Sequence, residues 1–159
     1  MILLFFMCSN KEKIKIMENN VKTPVHFWIV AIVSLLWNAM GAYDYLATKL
    51  RIESYMSQFT PEQLDYFYAF PAWMVVAWAI GVWGSFFGSL SLLLRKSWAV
   101  WLFGASIAGL AVSTVYNFIL TDGAEAMGSG GVIFTAVIWV IALLLFFYAR
   151  AMDKRGVLT

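Results

Sequence analysis

The residues best placed to do chemistry in this chain fall in one short stretch, Trp37-Asn38-Ala39-Met40-Gly41-Ala42-Tyr43-Asp44-Tyr45. It sets an amide, a carboxylate and large aromatics inside an apolar segment. On an α-helix, at about 100° per residue, Trp37, Asn38, Gly41, Asp44 and Tyr45 share an arc of about 120°. Ala39, Met40, Ala42 and Tyr43 fall outside that arc and suit lipid. The chemistry on offer is binding. Asn38 and Asp44 can hydrogen-bond hydroxyl groups, and Trp37 or Tyr45 can stack on the apolar face of a ring. Each residue also has a structural reading. Asn38 can fix helix packing through an interhelical hydrogen bond. Asp44 can be an interfacial aspartate held by water and a loop cation. Its position near a helix C-terminus disfavours a negative charge, so Lys49, Arg51, Tyr116 or Asn117 is expected to offset it.

These residues need a scaffold, and composition says what kind. The 159 residues are 62% hydrophobic and 13% charged, with a mean hydropathy of +0.78. A soluble domain carries about 25% charged residues, so this chain has too little charge to cover a water-facing surface. Lipid is the expected solvent for most of it. The formal net charge of +2 gives no electrostatic footprint for nucleic acid. Cys8 is the single cysteine and His26 the single histidine. No internal disulfide can form, and no cofactor or metal site of the usual ligands is expected. The sequence pairs no nucleophile with a base, so catalysis is not expected. His26, at the start of an apolar run, reads as an interfacial side chain facing headgroups.

Hydropathy predicts an all-α membrane protein, a four-transmembrane-helix bundle with spans at about 27–47, 72–94, 98–120 and 132–148, each near the ~20 residues needed to cross a bilayer. Residues 1–25 read as a leader, 26–150 as the membrane domain and 151–159 as a tail. Met1–Cys8 lacks the basic region and small-residue cleavage site of a signal peptide. Two readings of residues 1–16 stay open: a true leader, or an extension upstream of a start at Met17. Between the first two spans, Thr60-Pro61-Glu62-Gln63 spells a capped helix start. The tyrosine-rich segment after it predicts a short helix at the membrane surface.

The second span carries small residues Ala77, Gly81, Gly84 and Gly88 at alternating spacings of four, three and four. The third carries Ser106, Gly109 and Ser113, with Tyr116 and Asn117 at its end. With Gly41 of the first span, these small residues read as helix-packing positions, because small side chains let backbones approach in lipid. Lys11, Lys13, Lys15 and Lys22, then Arg95 and Lys96, then Arg150, Lys154 and Arg155 make four, two and three: nine of the eleven basic residues. The remaining loops hold only Lys49 and Arg51. The positive-inside rule then places both termini in the cytoplasm. Asp44, Trp73, Tyr116 and Asn117 come to similar depth in the outer half, with Asn38 near the middle. Together with Trp37 and Tyr45 they are the candidate ligand-binding set.

The pattern Trp37-Asn38-x-x-Gly41-x-x-Asp44-Tyr45, the segment Phe70-Pro71-Ala72-Trp73 before the second span and the basic pair Arg95-Lys96 before the third together resemble a group of small bacterial four-span inner-membrane proteins. The resemblance covers about residues 24–155. Some of that group are labelled "sugar transporter", which implies a small, sugar-like solute. Small multidrug-resistance transporters share the size and span number, but they depend on a glutamate deep in the first span, where this chain has Asn38. Four spans make a thin wall for a translocation path, so transport implies a homodimer. The alternative is an accessory or assembly protein whose polar helix face meets a membrane partner.

Overall fold

The computed structural model describes residues 22–159. Cys8, the Met17 start and the leader up to residue 21 lie outside the described residues. Within them every regular element is helical. In chain order these are α1 (Val25–Lys49), α2 (Glu53–Met56), α3 (Pro61–Tyr68), α4 (Ala72–Leu93), α5 (Trp98–Val115), a π-helical turn (Tyr116–Leu120) and α6 (Gly123–Lys154). Four of the helical stretches are long and apolar enough to cross a membrane: α1, α4, α5 with its π turn, and α6.

Local chemistry sets the boundaries. Pro24 and Pro71 occupy the N-cap positions of α1 and α4. Thr60 caps α3 in a full capping box, with its hydroxyl accepting from the Gln63 N–H and the Gln63 side chain accepting from the Thr60 N–H. α1, α4 and α6 all end in the same way. Arg51, Arg95 and Gly156 take positive φ values of 52°, 58° and 70°, and the next residue's N–H reaches back to Ala47, Ser91 and Met152 respectively. This is the left-handed turn that satisfies terminal carbonyls. Two arginines stand where glycine would be free of strain, and both have other contacts described below.

α6 departs from the expected fourth span of residues 132–148. Its break lies at Gly128 alone, where φ is 67°, and the helix runs on past Tyr148 to Lys154. The charged residues Arg150 and Lys154 mark the end of apolar sequence, but they are good helix formers and do not stop the coil.

α4 and α5 pack most closely, α1 lies on α4, and α6 lies on α5. The α4–α5 seam is built from small residues. A Cβ on Gly109 would come within 2.5 Å of the Ala77 carbonyl oxygen and the Gly81 nitrogen. One on Gly84 would meet Leu102 and Ser106 backbone at 3.1 Å, and one on Gly88 would meet the Phe103 ring. Ser106 Oγ donates to the Gly81 carbonyl at 2.6 Å. Ser113 is buried too, its hydroxyl making no hydrogen bond among the described residues. Gly41 differs from these glycines: a Cβ there would meet nothing within 4 Å among the described residues, so none of them fills its notch.

All four long helices meet at one end, called here the terminal end because residue 25 and Thr159 lie there. Its core joins Phe27, Ala31, Leu92, Ala99, Phe103, Leu145, Ala149 and Met152 with Val157 and Leu158 of the tail. The end of the tail is therefore docked on the bundle. His26 is exposed, with its Nδ1 2.8 Å from the Tyr148 hydroxyl of α6. The opposite, loop end holds residues 50–70. There α6 is loosely covered, with no buried residue between 124 and 144.

Candidate functional site

The buried stripe of α1 runs through Phe27, Ala31, Ser34, Asn38 and Ala42. It is rotated by about 60° from the face drawn through Trp37, Asn38, Gly41, Asp44 and Tyr45. Ala42, expected to face lipid, is buried instead. The rotation follows from packing: α4 presents its own small residues, and α1 lays its smallest side chains against them. Asn38 lies on both stripes and its amide donates to Ser89 Oγ at 2.8 Å. Asn38 is 8% exposed and Ser89 fully buried, so this is a closed interhelical contact.

Asp44 stands half-buried on the flank and accepts from the Tyr55 hydroxyl at 2.5 Å. None of the four partners expected for it plays that part. Arg51 instead sets its guanidinium 4.1 Å above the Tyr68 ring centre. Asn117, in the π turn, donates to the Ser113 carbonyl and accepts from the Tyr66 hydroxyl at 2.6 Å. Tyr66 also lies 2.9 Å from Thr121 Oγ1. The polar candidates thus separate into three pairs: Asn38 with Ser89, Asp44 with Tyr55, and Asn117 with Tyr66.

Aromatic contacts join two of these pairs. Tyr55 meets Phe59, Phe59 meets Phe67, and Phe67 meets Tyr66 and Phe70, at centroid distances of 5.3–6.1 Å. Phe70 then touches Trp78 and Tyr116, Trp78 touches Tyr45, and Tyr116 touches Trp73. Edge-to-face geometry dominates, as ring quadrupoles favour. The segment between α1 and α4 is therefore a cap, tied down by Tyr55 on α1 and by Tyr66 on the π turn. Of the other candidates, Trp37 contacts Phe134 of α6 and does not join this network.

Beside the second tether lies an open cavity of about 560 Å³, lined by Glu62, Tyr66, Tyr116, Thr121, Asp122 and Glu125 among others. Hydrogen bonds at the start of α3, from its own backbone N–H and from Thr60, hold the Glu62 carboxyl below its ordinary range. Burial pushes the Tyr66 phenol up, and the nearby Tyr116 and Asp122 add to that. The cavity thus sets the ionised Glu62 carboxylate beside the protonated Tyr66 phenol at neutral pH. Among the described residues no group of three or more His, Cys, Asp and Glu could hold a metal ion. The cavity can accept hydrogen bonds from hydroxyl or amine groups and stack an apolar face on a tyrosine ring.

Sequence reasoning placed Tyr116 here but not Tyr66, Thr121 or the carboxylates, and it did not single out Tyr55 or Ser89. The dense tyrosines of residues 55–68 were the available signal. Their partners are not visible in it, because a sequence shows no reach across helix ends. In comparisons with known proteins, no family model, curated protein or solved structure matches the chain.

Proposed function

We propose that this is a multi-pass protein of the bacterial inner membrane, with both termini cytoplasmic, that binds a small, sugar-like polar solute at its outer end. The cavity at the loop end carries the proposal. Its volume of about 560 Å³ falls in the range of small-molecule sites, about 300–1,000 Å³. Its lining pairs acceptors for hydroxyl groups with aromatic rings. The lysine and arginine distribution supports the orientation, and the cap, with α3 at the membrane surface, would then face outward. The site centres on Tyr66, Tyr116, Thr121 and Asp122, with Asn117 as a support, and Asn38 and Asp44 serve packing and the cap.

Binding of sugars, polyols and amino sugars to the purified full chain in micelles tests this, by calorimetry or by a rise in Tm. At least one such solute should bind, and Asp122→Asn should weaken it about tenfold, the effect of losing one hydrogen bond to a charged group. Absence of binding across that panel, or binding unaltered in Asp122→Asn and Glu125→Gln, overturns the reading.

A second reading has its own observation. The loop-end half of α6 exposes Val132, Ile133, Phe134 and Val137, and Gly41 is open. An accessory protein could receive a partner's span there. Stable co-purification of one membrane protein, lost on Gly41→Leu while solute binding is absent, would favour it.

A further inference from the structure

At the terminal end, the turn between α4 and α5 has features that neither the solute site nor the cap uses. Trp98 is 71% exposed and Trp101 80% exposed. With Ser97 they line a shallow groove of about 450 Å³. They stand three residues apart on α5, so they occupy the same face within the first turn, about 4.5 Å apart along the axis. Arg95 and Lys96 immediately precede them. Lys96 is exposed. Arg95 is fixed in place by its positive φ of 58° and by donation from Nε to the Val157 carbonyl at 2.9 Å. That bond leaves the two terminal guanidinium nitrogens, which make no hydrogen bond among the described residues.

The charge around this turn is mostly positive. Lys22, Arg95, Lys96, Arg150, Lys154 and Arg155 lie at the terminal end, and Asp153 is the one acid with them among the described residues. Tryptophan rings settle at the headgroup level of a bilayer because the ring body is apolar and the N–H is polar. Cations next to such rings meet lipid phosphates, and basic pockets between membrane helices select anionic headgroups.

We infer that the Ser97–Trp98–Trp101 groove, with Arg95 and Lys96, is a docking site for an anionic phospholipid. The phosphate and any second acidic group lie against Lys96 and the free end of Arg95. The glycerol backbone and upper acyl chains fill the groove between the two indole rings. Charge complementarity selects the occupant: a zwitterionic lipid would bring its own cation towards a turn that already carries two. The docked tail holds Arg95 in position, so the site is preformed. This inference needs the chain to sit in a membrane but is independent of the solute proposed above.

The test uses the full chain in micelles doped with equal phosphatidylglycerol and phosphatidylcholine, read by native mass spectrometry. Wild type should retain phosphatidylglycerol over phosphatidylcholine by at least about fivefold, the effect of a single cation at a membrane surface. Lys96→Glu should bring the ratio towards parity, and Lys49→Glu, at the other end of the molecule, should leave it unchanged. Equal retention of the two lipids by wild type overturns the inference. So does a loss in Lys49→Glu as large as in Lys96→Glu, which would mean diffuse attraction. Should Lys96→Glu fail to fold, quenching by brominated lipids decides: brominated phosphatidylglycerol should quench wild type more than brominated phosphatidylcholine does. Trp98→Phe/Trp101→Phe should abolish that difference, and its persistence refutes the site. Competition by soluble glycerol phosphate as strong as that by the lipid would also refute it, since the ligand would then come from water.

Discussion

The buried Asn38 amide and Ser89 hydroxyl meet where α1 crosses α4, with lipid as the alternative surroundings. Interhelical hydrogen bonds in membranes contribute about 0.6 kcal/mol on average and about 1.7 at most. Ser89→Ala does more than remove that bond, because it leaves the buried amide unpaired, at about 1–3 kcal/mol. Ser89→Ala is therefore expected to destabilise more than the double variant Asn38→Leu/Ser89→Ala, as measured by unfolding in mixed micelles. Glycines make a sharper pair. A methyl on Gly109 would run into the Ala77 and Gly81 backbone, which cannot move without parting α4 from α5. Gly109→Ala should cost about 1–3 kcal/mol, the range for overpacking. A methyl on Gly41 meets nothing, so Gly41→Ala should be neutral or stabilising by up to about 1 kcal/mol through helix propensity. Thermal melts of the two variants in one detergent check both. Sequence spacing could not tell these glycines apart. Each sits at helical intervals from polar or small neighbours, and only the rotation of α1 decides which face meets α4. That rotation depends on the sum of many side-chain contacts with another helix.

α3 and the flanking residues 50–70 behave as one element, and their legibility divides by the range of the interactions. The start of α3 at Thr60 could be read because the capping box is made by residues three apart. The partners of Tyr55 and Tyr66 could not, because their acceptors lie on α1 and the π turn, eleven and fifty-one residues away. The π turn itself has no sequence signature; it turns Asn117 towards Tyr66 while the Asn117 amide stays on the Ser113 carbonyl. Burial is the main cause that pushes both phenols above the ordinary 10.0, and the Asp44 carboxylate adds to it at Tyr55. A tyrosine with a raised folded-state pKa keeps its proton longer in the folded state than in the unfolded state. The stability it contributes is full below about 10 and is lost as pH climbs towards the folded value. The cap should thus hold from neutral pH to about pH 10 and loosen above it. Hydrogen exchange of residues 52–68 should accelerate over that alkaline range in wild type. Tyr55→Phe/Tyr66→Phe should exchange faster already at pH 7 and show a smaller alkaline step. Identical profiles for the two proteins would show that neither phenol ties the cap down.

Across the whole molecule, the two ends are held by different means. The four spans were legible from hydropathy because lipid demands about twenty apolar residues in a row, whatever those residues touch. What hydropathy leaves out is how unevenly the spans are joined. At the terminal end α1, α4, α5 and α6 share one core, while α6 has no buried residue from 124 to 144. α6 is thus held mainly at the terminal end, with Gly123 buried at its other end, and the docked tail is part of the main anchor. Val157 and Leu158 bury their side chains in that core. The Thr159 N–H donates to the Arg95 carbonyl at 2.7 Å, and the Ser97 N–H donates to the Thr159 carbonyl at 3.2 Å. An undocked tail would stand in water, so burial of each of the two side chains contributes about 1.5–3 kcal/mol, unlike helix contacts whose alternative is lipid. Removing Val157–Thr159 exposes their apolar partners and frees Arg95, whose positive φ then has one less contact to hold it. The truncated chain should lose about 3 kcal/mol or more of stability. A cysteine–cysteine distance measured by spin labels between the middle of α1 and that of α6 should broaden, because α6 has lost part of its anchor at the terminal end, where Leu145, Ala149 and Met152 are buried. Val157→Ala should produce a smaller loss, about 1–2 kcal/mol, with the distance distribution intact. A truncated chain as stable as wild type, with an unchanged distance, would mean that Leu145, Ala149 and Met152 suffice to hold α6 on the bundle.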